Sequence, residues 1–137
     1  MDKKTPSTSM PPIRLEGIQP ILYVKSMAMS RAFYVGVLGF TEAPWGDDSF
    51  TSVNRDGTGI YLCQGAQGNP GTWLWIGFDG DIEELYNYLR KNDVTIRMPP
   101  GNFSWALEMH IEDPDGHILR FGKEPDSSQP FLDRPSR

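Results

Sequence analysis

The stretch Glu108-Met-His-Ile-Glu-Asp-Pro-Asp-Gly-His-Ile-Leu-Arg-Phe-Gly122 holds the densest set of chemically capable side chains in the chain: Glu108 and Glu112, His110 and His117, and Arg120. Carboxylates and imidazoles can move protons or ligate metals, and a guanidinium can hold an oxyanion through paired N–H bonds. The local pattern also has a plainer reading. His117 falls in a turn and His110 in a strand, where a hydrogen-bonded structural histidine is the commoner outcome. Arg120 has internal carboxylates within reach in Glu108 and Glu112, and an indole face is a second kind of partner for it. Cys63, the one cysteine, has no sequence-adjacent base to activate it and is expected to be a buried, inert thiol.

The elements that carry these groups follow from turn chemistry and alternation. Asp113 can cap the amides ahead of it, Pro114 presets the first turn position, and Gly116 closes a tight turn. Met109 and Ile111 before the turn alternate with polar residues, as do Leu119 and Phe121 after it, so a C-terminal hairpin is expected. Upstream, the same order of elements occurs twice. Ile18–Val24 reads as a strand, followed by a helix over Met27–Leu38 with Ser26 as N-cap, Met29, Phe33 and Val37 on one face, and Gly39 as stop. Short strands follow around Phe40–Ala43, Ser49–Asn54 and Gly59–Cys63, with Arg55-Asp-Gly-Thr58 as the last turn. After a Gly65–Gly71 linker come a strand over Trp73–Phe78, a helix over Ile82–Lys91 capped by Asp81, and strands over Val94–Arg97, Trp105–Glu112 and Ile118–Phe121. The expected architecture is α+β, with two βαβββ modules forming curved, mixed but mostly antiparallel sheets around a cavity.

Composition bounds the class. The chain has 137 residues, 38% of them hydrophobic and 12% aromatic, enough for one domain with a real core. A net charge of −5 speaks against non-specific nucleic-acid binding. No apolar run reaches membrane-spanning length, and the N-terminal residues lack an apolar signal core, so a cytoplasmic location is expected. Residues 1–12 and 124–137 read as polar, proline-containing tails around a body at 13–123, with modules at about 17–64 and 72–123. Neither module is large enough to bury a good core alone, so pairing of modules, or of chains, is expected.

Gln19-Pro-Ile-Leu-Tyr-Val24, Ala32-Phe-Tyr34 leading to Val37-Leu-Gly-Phe40, and Asp113-Pro-Asp-Gly-His117 together resemble the vicinal oxygen chelate superfamily, which includes glyoxalase I, extradiol dioxygenases and bleomycin- and fosfomycin-resistance proteins. The likeness covers nearly all of residues 17–123. It implies the paired-module fold and a homodimer whose pockets draw on both chains. It does not select a reaction, because one scaffold serves isomerases, dioxygenases, thiol transferases and plain binders.

The resemblance also implies four metal-ligand positions, which in this sequence hold Gln19, Tyr61, Trp73 and Arg120. A glutamine is acceptable there. Tyr61 and Trp73 are poor ligands, and Arg120 puts a permanent cation where the ion would sit, so no metal or other cofactor is expected. Alternation then places Gln19, Ile21 and Tyr23, Tyr61 and Cys63, Trp73 and Trp75, and Ile118 and Arg120 on the inner face. Leu22, Val24, Ile60, Leu62, Leu74, Ile76 and Phe78 point to the helices. The expected ligand-binding set is Gln19, Tyr23, Tyr61, Trp73, Trp75 and Arg120, with Arg120 standing as a fixed charge for a carboxylate, enolate or phenolate. The competing view of the tryptophans is that they plug a degenerate cavity. Pro44-Trp-Gly-Asp-Asp48 reads as an exposed loop that could also rim a site for a cationic compound.

Two function classes follow. One is a metal-independent binder of a planar aromatic or amphipathic small molecule, similar to bleomycin-resistance proteins, with no nucleic-acid or membrane partner. The other is a glyoxalase- or dioxygenase-type metalloenzyme with displaced ligands such as Glu108, His110 and His117, which requires at least three of them to converge.

Overall fold

The computed structural model describes residues 10–12 and 14–132. Two four-stranded sheets form, each with the same internal order. In the first, β1 (Ile21–Val24), β4 (Thr58–Gln64), β3 (Phe50–Arg55) and β2 (Thr41–Glu42) lie side by side; in the second, β5 (Trp73–Gly77), β8 (Ile118–Lys123), β7 (Leu107–Glu112) and β6 (Thr95–Asn102) do. β1–β4 and β5–β8 run parallel and the remaining pairs antiparallel. The doubled βαβββ reading of the sequence holds, and neither sheet closes on itself.

Local chemistry sets the element ends. Asp56 and Gly57 both adopt positive φ between the paired Arg55 and Thr58, the requirement of a two-residue hairpin turn whose twist matches its strands. Asp113 Oδ1 accepts from the amides of Asp115 and His117, and Gly116 takes φ 80° to complete the second turn. The second helix, α2 (Ile82–Lys91), is capped as expected, with the Asp81 carboxylate accepting from Glu83 N and Glu84 N.

Three expectations need correction. The first helix is not uniform: α1 (Met27–Arg31), capped by Ser26, widens into a π-helical segment over Ala32–Val37, where Leu38 N bonds to Phe33 O. Its buried face is Met27, Ser30, Phe33 and Tyr34, while Met29 is 59% exposed. Second, β6 does not stop before Pro99 and Pro100 but runs through them to Asn102, with shifts in register against β7. It can do so because it is an edge strand and because the register shift between Met98 and Gly101 falls across both prolines, so neither one breaks a ladder bond to β7. Third, residues 124–132 do not hang free of the domain. Asn102 exchanges bonds with Asp126 at 2.8 and 2.9 Å, and Leu132 pairs with Phe103 beside the end of β6.

One apolar core joins the modules, with Leu22, Val24, Tyr34, Leu62, Met109, Ile111 and Leu119 all fully buried. The modules are also stitched by polar bonds. Tyr34 Oη donates to Asp113 at 2.8 Å, and Lys25 N to Asp115 at 2.9 Å. Tyr88 Oη donates to Val37 O at 2.6 Å. Burial pushes the Asp113 carboxyl up despite its hydrogen bonds, and burial next to that carboxyl pushes the Tyr34 phenol well above its ordinary value. His117 is fully buried at this seam. Its Nδ1 accepts from Thr72 N, so its Nε2 carries the hydrogen given to Tyr23 O at 2.7 Å.

A candidate binding face on the second sheet

Period-two alternation divides the second sheet into a helix-packed face and an open one. Leu119, Phe121, Met109 and Ile111 go to the core, so Arg120, His110 and Glu108 go to the other side. Register then makes neighbours of them: His110 and Trp75 flank Arg120, and Gly122 lies across from Glu108.

Glu108 is the hub. It is fully buried, and its carboxylate accepts from Arg120 Nε and Nη2 at 2.9–3.1 Å and from Trp105 Nε1 at 3.0 Å. His110 Nε2 is 2.6 Å from the same carboxylate. A buried carboxylate without partners would be very costly, and this one has its lone pairs filled. Arg120 in turn lies 5.2 Å from the Trp75 ring centroid, so the indole covers a guanidinium whose charge is already met. Trp73 packs edge-on to His110 at 5.7 Å and lies under Arg97, which pairs with Glu112. Trp105 stacks on Phe103 with centroids 4.9 Å apart.

The indoles are held yet not covered. Trp73 and Trp75 are each 52% exposed and Trp105 49%. They do not plug a collapsed interior.

The other expected site residues lie on the first sheet. Tyr61 joins Trp45 and Phe50 in an aromatic cluster, Tyr23 is half-buried on β1, and Gln19 is exposed in the segment before that strand. Among the described residues no aromatic pair, cation–π contact or ion pair joins this group to Trp73, Trp75 or Arg120. The acids of the Trp45 loop are engaged locally, Asp48 by Arg31 and Asp47 by Ser49 and Phe50. Asp48 and Trp45 stay exposed on this loop, but the Asp48 charge is already met by Arg31.

The four positions considered for a metal do not suit one. They offer an amide, a phenol packed among aromatic rings, an indole without a lone pair to give, and a guanidinium bonded to Glu108. Nor do the displaced candidates meet, since His117 faces the module seam while Glu108 and His110 face the open side. Among the described residues no three His, Cys, Asp or Glu side chains are grouped to hold an ion. Sequence reasoning missed Trp105 as a member of the face: in a strand expected to begin at Trp105, alternation groups it with the core residues Met109 and Ile111, whereas β7 begins only at Leu107 and Trp105 is free of that period. Glu108 could be found by counting back two from His110.

The chain matches the family model described as the Glyoxalase/Bleomycin resistance protein/Dioxygenase superfamily over residues 17–121. Among solved structures it is similar to a virulence protein from Salmonella typhimurium, at 18% identity and a TM-score of 0.70, covering 82% of this chain and 99% of that one. A glyoxalase/dioxygenase from Nostoc punctiforme gives 18% identity and 0.69, covering 89% and 100%. TioX from Micromonospora sp. ML1 gives 15% and 0.65, covering 79% and 99%. At these identities the structures share the fold. No curated protein matches the sequence.

Proposed function

The chain belongs to the Glyoxalase/Bleomycin resistance protein/Dioxygenase superfamily, and from that premise we propose that it is a metal-independent small-molecule-binding protein that takes a planar aromatic or amphipathic ligand on the open face of its second sheet. The observation that carries this reading is the half-exposure of Trp73, Trp75 and Trp105 around a neutralised Arg120–Glu108 pair. Large aromatic surface left open on a sheet face marks a binding site, and rigid indoles lose little entropy when a flat ligand stacks on them. Arg120 retains Nη1, with its two N–H groups, outside its bonds to Glu108, to orient a polar group on the ligand. A divalent ion at this place would meet the guanidinium's repulsion with no compensating ligand set.

The proposed assembly is a homodimer that brings Gln19, Tyr23 and Tyr61 of one chain toward Trp73, Trp75 and Arg120 of the other. It would cover Ile21 and Trp45, which are 38% and 59% exposed on the first sheet. Light scattering at micromolar concentration is expected to give twice the chain mass, and a clean monomer overturns the assembly. Tryptophan fluorescence tests the function itself. Saturable quenching by a planar aromatic compound is expected, and its absence across a panel of such compounds overturns the reading.

A further inference from the structure

Trp75 and Trp105 bound a groove of about 520 Å3 at one end of the open face. Small residues complete its lining, Gly77 and Gly122 on the paired strands β5 and β8 and Ala106 beside β7. The walls are fixed independently of any ligand. A Cβ on Gly122 would stand 2.0 Å from Trp75 Cη2, so the indole lies directly on that glycine. Arg120 holds the same indole by its ring face. Trp105 is set by its stack on Phe103 and its bond to Glu108, and Glu108 is also what anchors Arg120. One buried carboxylate therefore positions both walls.

The mouth of the groove carries a charge preference. Asp79 and Glu124 line it and are exposed. The one basic lining residue, Lys123, donates its ammonium to Gly80 O and lies 5.7 Å from the Phe78 ring centroid. Lys123 keeps its positive charge but is tethered to Gly80 and Phe78, so the lining sets two exposed carboxylates against one ammonium drawn to its side. We propose that this slot is a binding site for a planar aromatic cation, with Trp75 and Trp105 as stacking walls and Asp79 and Glu124 supplying the charge preference. The proposal rests on the ligand-binding reading above and adds to it a location and a ligand charge.

Proflavin, cationic at neutral pH, can be titrated against neutral acridone and anionic anthracene-9-carboxylate, with fluorescence as readout. Proflavin is expected to bind at least tenfold more tightly than acridone. Trp105→Ala and Trp105→Phe, each checked for fold by far-UV circular dichroism, should weaken proflavin about tenfold and a few-fold respectively. Asp79→Asn with Glu124→Gln should bring proflavin down to the acridone level and leave acridone unchanged. If Trp105→Ala has no effect while Trp73→Ala abolishes binding, ligands occupy the middle of the sheet; the slot then falls and the binding function stands. Preference for the anion overturns the charge assignment, and failure of all three dyes overturns both proposals.

Discussion

Glu108 and Arg120 sit on adjacent strands with the fully buried carboxylate receiving two nitrogens of the guanidinium, while the Arg120 side chain keeps 34% of its surface in solvent. The two ends of this pair are therefore unequal. Removing the arginine leaves a buried charge with only Trp105 and His110 beside it, whereas removing both members leaves none.

Arg120→Met is expected to destabilise the fold by about 3 kcal/mol, the low end of the range for breaking a buried pair because Arg120 is one-third exposed. Glu108→Met combined with Arg120→Met should recover about 1–2 kcal/mol of that loss, since no charge is left buried although Trp105 Nε1 and His110 Nε2 each lose a partner. Urea unfolding of the parent and the two variants checks this. A single variant as stable as the parent would show that the pair contributes nothing.

Binding should report through one tryptophan and not another. Trp75 lies on the proposed face against Arg120, whereas Trp45 stacks on Phe50 of the first sheet. Saturable quenching by a planar aromatic compound should be lost in Trp75→Ala and kept in Trp45→Ala. Equal loss in both would move the site to the first sheet or to an interface between copies.

Much of this arrangement is legible in the sequence. Turn residues such as Asp113, Gly116 and Gly57 have narrow conformational uses, and alternation through Leu22, Val24, Leu62 and Leu119 fixed which side of each strand is buried. What alternation cannot give is pairing across strands. That Arg120 meets Glu108 and lies under Trp75 depends on register, and the sequence offered Glu108, Glu112 and an indole as equivalent partners. The π-helical widening after Arg31 is hidden for a related reason: no residue type marks an extra residue per turn, so α-helical spacing groups Met29 with Phe33 and Val37, whereas Met27, Ser30, Phe33 and Tyr34 form the buried face.

Metal analysis offers an independent check on the binder reading. With Arg120 and Trp73 at two of the four positions considered, protein purified without an affinity tag should carry well below one equivalent of Zn, Ni, Mn or Fe, and a chelator should leave its melting temperature unchanged. One tightly held equivalent per chain, bound on the sheet face, would overturn the metal-independent assignment.

The seam between modules should respond to alkaline pH through Tyr34. Its phenol is fully buried and donates to Asp113, and burial beside that carboxyl raises its pKa well above the ordinary 10.0. A raised folded-state value means the native chain keeps a proton that the unfolded chain gives up. The stabilisation is therefore complete below about pH 10 and is lost as pH climbs toward the folded-state value. Tyr34→Phe removes the bond and leaves Asp113 short of one donor, at a cost of about 1–2 kcal/mol at pH 8. That deficit should shrink at pH 11, where the parent chain loses stability through Tyr34 and the variant does not. Paired urea titrations at the two pH values measure the difference, and a deficit that stays constant or grows would show that Tyr34 does not hold its proton against the unfolded state.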